Sequence, residues 1–242
     1  MTAEPKAASL KTRLARLDWQ AISRRLDDHG FATTPPLLTP AECIQLIRLY
    51  PENRRFRSRI DMAQFRFGEG EYKYFDDPLP DLVQTLRAEA YPNLATIANS
   101  WAERLGARDQ YPGTLEAFLE ICRKQSQRKP TPLMLCYQAG GYNCLHQDLY
   151  GEIAFPLQMA CLLSRTGEEF TGGELLLIEQ RPRAQSRATA INLQQGEALI
   201  FPNRYRPVHG ARGNYRVNVR HGVSTIASGQ RYSLGIIFHD AK

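Results

Sequence analysis

The sequence predicts a single α+β domain in which a helical N-terminal half braces a β-rich C-terminal half. Three observations carry this. Before residue 130 apolar residues recur at helical spacings, whereas from Leu133 onward short apolar runs alternate with Gly, Pro and charged turns. The chain of 242 residues is long enough to bury one sizeable core, and no internal repeat or low-complexity tract divides it. The expected bounds are a flexible tail over 1–12 and one domain over 13–242, with 13–130 as helical support and 131–242 as the β core.

Leu14, Leu17, Ile22 and Leu26, with Trp19, predict a first helix, and Gly30 is its stop. Phe31-Ala32-Thr33 reads as a short strand broken by Pro35-Pro36. Thr39-Pro40-Ala41-Glu42 is a helix start, with Thr39 as N-cap, Pro40 at the first helical position and Glu42 as capping-box partner; that helix runs through Leu49. Residues 54–75 are rich in Arg, Phe and Tyr and predict two strands around Gly68-Glu69-Gly70. Pro80 to Leu105 reads as helix, with Pro92 forcing a break or a new start. A further helix is expected over 115–125 and a polar linker over Lys124 to Lys129.

Composition narrows the function classes. No window approaches the roughly 20 apolar residues of a membrane helix, and Met1 to Leu10 carries no apolar core of signal-peptide length. Cys43, Cys122, Cys136, Cys144 and Cys161 are scattered and form no C-x-x-C pair, which argues against a zinc ribbon or a disulfide scaffold and fits a reducing cytoplasm. The net charge of +6 is compatible with a polyanionic partner and equally with a soluble basic surface.

The chemistry centres on Tyr137-Gln138-Ala139-Gly140-Gly141-Tyr142-Asn143-Cys144-Leu145-His146-Gln147-Asp148. Residues two apart on a strand point the same way, so His146 and Asp148 converge while Gln147 aims away. That is two-thirds of the two-His-one-carboxylate set that holds Fe(II) on one face and leaves the other face open. Alone, His-x-Asp is unspecific. Its context is Gly172-Gly173-Glu174-Leu175, then Gly196-Glu197-Ala198-Leu199-Ile200-Phe201, then His221, and ten positions later Arg231-Tyr232-Ser233-Leu234.

In this order and spacing the motifs resemble the Fe(II)- and 2-oxoglutarate-dependent dioxygenases, on the side of that superfamily nearest the prolyl hydroxylases. The likeness covers 133–240 well and the N-terminal half in outline. It implies a double-stranded β-helix, a jelly-roll of two facing sheets, with helices outside. It implies His146, Asp148 and His221 as iron ligands, and Fe(II), 2-oxoglutarate and O2 as the cofactor set. Arg231 stands where the family places the cation for the far carboxylate of 2-oxoglutarate, Ser233 shares its strand face, and Tyr137 occupies a position that often reaches the cosubstrate. His209 is the alternative distal ligand, since Phe201 precedes it by a family-like interval; His221 is preferred because it puts Arg231 at the usual offset. Residues 202–220 are then an insertion, and His29 and His239 are structural or exposed.

The substrate is less legible. Arg204, Arg206, Arg212, Arg216 and Arg220, interleaved with Tyr205 and Tyr215, together with Arg181, Arg183 and Arg187, predict a basic rim suited to phosphate contact and base stacking. Internal pairing with Glu152, Glu168, Glu169 and Glu174 is the competing account. His221-Gly222-Val223-Ser224 and the run Ile236 to Ala241 resemble a bacterial dioxygenase group predicted to demethylate damaged bases oxidatively, as AlkB-type enzymes do. The chain departs from the AlkB-type pattern: Arg216-Val217-Asn218-Val219-Arg220 precedes His221 instead of following it. Oxidative demethylation of alkylated bases is thus the first expectation. Hydroxylation of a protein side chain such as prolyl is the second, and a ligand- or metal-binding β-helix without redox chemistry the third.

Overall fold

The computed structural model describes residues 8–148 and 151–242. Helix α1 (Leu10–Ala15) begins within the expected tail, because Ser9 caps it through the Thr12 amide and Leu10 and Leu14 are buried; residues 1–7 of that tail lie outside the described residues. Helix α2 (Trp19–His29) is capped by Asp18 and closed by Gly30, whose φ of 82° is the left-handed conformation of a helix C-terminus. Strand β1 (Ala32–Thr33) follows, then α3 (Pro40–Leu49) with the full Thr39/Glu42 capping box.

Strand β2 (Phe56–Asp61), β3 (Gly68–Glu69) and β4 (Glu71–Phe75) come next. Helix α4 (Asp81–Arg104) runs unbroken through Pro92, contrary to the expected break. An interior proline costs about 3 kcal/mol. Here Leu86, Ala90, Tyr91, Leu94, Ala98 and Trp101 all bury against the core, and that packing outweighs it. Helix α5 (Leu115–Lys124) completes the support, capped by Thr114.

The remaining strands are β5 (Leu133–Gln138), β6 (Tyr142–His146), β7 (Leu157–Leu162), β8 (Phe170–Gly172), β9 (Leu175–Gln180), β10 (Arg187–Ile191), β11 (Ala198–Pro202), β12 (Tyr205–Gly210), β13 (Gly213–Val223) and β14 (Ile226–Ile237). They form the expected double-stranded β-helix. The major sheet runs β1-β11-β7-β14-β5-β4-β2, with β8 also on β14. The minor sheet runs β10-β9-β13-β6-β3, with β12 also on β13. The division at residue 130 therefore needs correcting: β1, β2 and β4 extend the major sheet and β3 the minor one. Two-residue strands such as β1 and β3 carry no periodicity to reveal this, and only their ladder partners define them.

Alternation along β14 shows how the core is split. Tyr232, Leu234 and Ile236 face the helices and pack with Tyr91, Phe155 and Phe238. Ser233, Gly235 and Ile237 face the other sheet and line a cavity between the two. A second apolar cluster closes that space: Leu175, Leu177, Val219 and Val223 from the minor sheet against Leu162, Leu199 and Phe201 from the major one.

One residue of the expected basic rim belongs to this interior. Arg206 is only 2% exposed. Its Nε donates to Glu179 Oε1 at 2.5 Å and a terminal nitrogen donates to the Asp27 carbonyl at 2.7 Å, joining β12, β9 and the end of α2. A Cβ on Gly30 would lie 2.6 Å from Glu179 Oε1, so the glycine also makes room for the pair. Removing one partner of a buried pair costs about 3–5 kcal/mol, because the other charge stays behind. At roughly 2–4 °C per kcal/mol for a chain of this size, Arg206→Ala is expected to lower the melting temperature by roughly 6–20 °C. A thermal melt within about 2 °C of wild type would contradict that role.

Candidate active site

His146 ends β6 and His221 lies directly opposite it on β13, so two imidazoles project from neighbouring strands on one face of the minor sheet. Their ring centroids are 4.2 Å apart. Asp148, two residues beyond His146, is buried and turns the same way. Its Oδ2 is 3.0 Å from His221 Nε2 and its Oδ1 is 3.6 Å from His146 Nε2. One donor atom from each residue lies within 4.8 Å of the others. His146 Nδ1 donates to the Cys144 carbonyl at 2.8 Å. This bond fixes the tautomer and leaves the Nε2 lone pair facing Asp148. Burial, and then the nearby His221, push the His146 pKa down and keep the ring neutral. His221 Nδ1 is buried and has no hydrogen-bond partner among the described residues.

Donor atoms bound at about 2.0–2.2 Å to one ion at right angles stand about 3 Å apart. The spacings of 3.0 and 3.6 Å are close to this. Two imidazoles and one carboxylate form the donor set of a ferrous site that keeps open positions. A structural zinc site would need a fourth protein ligand, and the group among the described residues has three.

A cavity of about 380 Å³ opens beside these residues. Its walls are mainly apolar, with Leu135, Met159, Leu175, Phe201 and Val223 among them, and its polar lining includes Tyr137, Asn143, Gln158 and Ser233. Beyond Ser233 lies Arg231, 2% exposed, opposite Tyr137 in the β14–β5 ladder. One guanidinium nitrogen donates to Ser233 Oγ at 3.1 Å. Arg231 Nε and the Tyr137 hydroxyl are buried and make no hydrogen bond of good geometry among the described residues. Burial lowers the Arg231 pKa and raises that of the Tyr137 phenol. Arg231 has no carboxylate within ion-pair distance among the described residues. A buried cation with unused donors is a site for an anion. The donors present therefore fit a small keto-dicarboxylate such as 2-oxoglutarate.

The structure thus brings His146, Asp148 and His221 together, with Tyr137 and Ser233 lining the same cavity and Arg231 behind Ser233, bonded to its hydroxyl and lining a small adjoining pocket. It keeps His209 apart. His209 is exposed near the tip of the β12–β13 hairpin, opposite Asn214. His221 stands seven positions beyond Asn214 along β13, roughly 23 Å at the usual strand rise. The supposed insertion over 202–220 is largely this hairpin. His239 is buried, accepts the Phe155 amide at 3.2 Å, and has a pKa pushed down to about 4 by burial; His29 is exposed.

Two glutamines escaped sequence reasoning. Gln158 Nε2 lies 3.5 Å from His221 Nε2. Gln147, between His146 and Asp148, donates to the carbonyls of Arg204 at 2.9 Å and Val219 at 2.8 Å. It braces the metal-side loop against β13 and the segment entering β12. The alternation that aims Gln147 away from the site was the available signal, but its partners lie 57 and 72 residues on.

Of the other expected rim residues, Arg181, Arg183, Arg204, Arg212 and Arg216 are exposed, as are Arg187 and Arg220. The glutamates proposed to neutralise them have other partners: Glu152 pairs with Lys242, Glu168 and Glu169 with Arg165, and Glu174 accepts from Ser224. Arg216 stacks over Tyr205 at 4.9 Å and Arg204 approaches the same ring at 6.0 Å.

Comparison with known proteins adds the following. The model of the Oxygenase-NA family, described as an oxygenase catalysing oxidative methylation of damaged DNA, matches residues 70–241. Proteins from two strains of Mycobacterium tuberculosis, each described as uncharacterized, are 48% identical over 167 residues, which is 69% of this chain and 72% of theirs. A prolyl-4-hydroxylase of Pseudomonas putida superposes with a TM-score of 0.54 at 12% identity, over 93% of this chain and 99% of that one. An oxidoreductase of the 2-oxoglutarate–Fe(II) oxygenase family from Burkholderia pseudomallei gives 0.54 at 13% identity, over 93% and 94%. At such identities the structural likeness is one of fold. Among the described residues no helix is long and apolar enough to cross a membrane.

Proposed function

This chain belongs to the Oxygenase-NA family and is an Fe(II)- and 2-oxoglutarate-dependent oxygenase, and we propose that it removes alkyl groups oxidatively from the bases of a nucleic acid. In this reading His146, Asp148 and His221 hold the ferrous ion. Arg231 and Ser233 hold the far carboxylate of 2-oxoglutarate, and Tyr137 contributes its hydroxyl. When bound, the pair would supply the oxidation, in which O2 gives one oxygen atom to a substrate C–H bond and the other to the succinate formed, with CO2, from 2-oxoglutarate. The protein's residues position and shield. The Cys144 carbonyl holds His146 in its ligating tautomer, Gln147 fixes the loop carrying Asp148, and the apolar cavity wall excludes water from the reacting group.

The family's description speaks of oxidative methylation of damaged DNA. An oxygenase inserts oxygen into a methyl group and supplies no methyl, so the direction proposed is demethylation. An N-methyl group becomes N-hydroxymethyl and leaves as formaldehyde, restoring the N–H. The observation that carries the choice of nucleic acid is the stack of the exposed Arg204 and Arg216 on the half-buried Tyr205, neither arginine in an ion pair among the described residues, tied through the Arg204 carbonyl to Gln147 beside the metal ligands. Such a face suits a phosphodiester and its bases, with the target base taken out of the stack to reach the cavity.

The test is incubation with Fe(II), 2-oxoglutarate and single-stranded oligonucleotides bearing one N-methylated base. Formaldehyde and succinate are expected in equal amounts, with loss of one CH2 from the oligonucleotide mass. Binding should weaken roughly 20- to 130-fold between about 50 and 200 mM salt if three to five phosphates are contacted on a single strand. Hydroxylation of prolyl peptides, with no formaldehyde from any oligonucleotide, would reverse the assignment.

A further inference from the structure

Three consecutive exposed residues stand at the mouth of the cavity, and the chemistry described above makes no use of them. Phe65 and Phe67 are 52% and 47% exposed, and their rings stack on each other with centroids 5.6 Å apart and planes at 20°. Arg66 and Phe67 line the cavity that holds His146, Asp148 and His221. Arg66 makes no ion pair among the described residues, and its backbone is left-handed at φ 58°, ψ 32°. That conformation is uncommon for a side chain other than Gly, Asn or Asp and marks a locally held geometry.

The element is tied to the metal-side strand. The fully buried Met62 anchors it, its carbonyl accepting from the amides of Phe65 at 3.2 Å and Phe67 at 3.0 Å. The Phe67 carbonyl in turn accepts from the Cys144 amide at 2.8 Å, and the Cys144 carbonyl is the acceptor for His146 Nδ1. Gly68 pairs with Asn143, and a Cβ there would lie 2.3 Å from the Tyr142 carbonyl oxygen, so the chain lies pressed onto β6. The aromatic pair therefore keeps a fixed position relative to the reacting centre.

Two exposed, mutually stacked phenylalanines forgo burial that most such side chains obtain. Beside them are a guanidinium that makes no ion pair among the described residues and an apolar pocket. We propose that Phe65 and Phe67 are the stacking platform for the target nucleotide, and that Arg66 takes its phosphate. This rests on the nucleic-acid reading above and names the residues that would recognise the substrate. A flat base extends the existing ring stack, and sequence-tolerant stacking on aromatic side chains is how single strands are gripped. The anion is matched by Arg66 and by a chain of net charge +6.

The test is binding, measured under nitrogen with Fe(II) and 2-oxoglutarate present. The probe is a fluorescent single-stranded DNA oligomer carrying one N-methylated base, followed by anisotropy. Phe65→Ala and Phe67→Ala should each weaken binding about tenfold, within the range that base–aromatic stacking supports. Phe65→Tyr and Phe67→Tyr should bind within about twofold of wild type, since the ring face is kept. Arg66→Gly, which keeps the left-handed backbone accessible, should lower the salt slope by about the value of one phosphate contact. Equal binding by wild type and both alanine variants overturns the platform and leaves the substrate reading standing. So does an equal loss in alanine and tyrosine variants accompanied by a lower melting temperature. If wild type binds no oligonucleotide at any salt, the substrate reading itself fails. If a prolyl peptide is bound instead and lost in the alanine variants, both fall to a protein substrate.

Discussion

His221→Ala is expected to abolish ferrous-ion retention and turnover, while His209→Ala leaves both near wild type. The two histidines compete in the sequence, because each follows an apolar strand and each is followed by an arginine. In the structure they do not compete on geometry. His221 is 7% exposed and lies across the strand pair from His146, with Asp148 Oδ2 3.0 Å from its Nε2. His209 is on the solvent side near the end of a hairpin, with Asn214 as its ladder partner. Loss of an outer-shell partner of a metal ligand typically costs 10–100-fold in affinity. Loss of one of three proposed ligands should exceed that, so a fall of more than about a hundredfold is expected. The measurement is iron carried through gel filtration under nitrogen, scored beside formaldehyde release. Iron retained by His221→Ala and lost by His209→Ala would overturn the assignment, and equal retention by both would remove the metal from this site.

The legible parts of the molecule share one property: their signal is local. The Thr39/Glu42 box, the Gly30 stop and the alternation around His146 and Asp148 each span a few residues, and the structure repeats them. The ten-residue step from His221 to Arg231 is also local in effect. It is the length of chain that ends β13, turns at 224–225 and climbs β14 until it faces Tyr137. What sequence reading misplaced depends on distant pairing. Arg206 reads as one more arginine in a basic segment until Glu179 and the Asp27 carbonyl, 27 and 179 residues away in the chain, enclose it. Pro92 reads as a break until the buried face of α4 is counted on both sides of it. Phe65, Arg66 and Phe67 sit in a stretch noticeable only for its aromatics and arginines. Their nearness to His146 comes from a two-residue strand pairing that no periodicity announces.

Arg231→Met carries the second large effect, and its sign reverses with the cosubstrate. The guanidinium is buried, its pKa is lowered by burial, and among the described residues it donates to Ser233 Oγ. A buried charge without its counter-ion costs stability, and replacing it with an apolar side chain of similar length removes that cost. Without 2-oxoglutarate, Arg231→Met should therefore melt at or above wild type. With metal and saturating 2-oxoglutarate the order inverts. At about 100 times Kd a ligand that binds only the folded state adds about 2.7 kcal/mol. For a chain of this size that corresponds to a rise of roughly 5–11 °C, expected in wild type and absent in the variant. Each charged hydrogen bond to the far carboxylate is worth about 1.5–3 kcal/mol. Loss of a two-bond clamp should then raise the 2-oxoglutarate requirement by at least about a hundredfold. Iron retention should change little, because Arg231 is not in the group of His146, Asp148 and His221. A variant that gains the same thermal shift from 2-oxoglutarate as wild type would show that the anion is held elsewhere. A variant that loses iron and 2-oxoglutarate equally would show that Arg231 supports the whole cavity and not one carboxylate. The stability measurement needs no substrate, so it decides the anchor independently of whether the oxidised group belongs to a base.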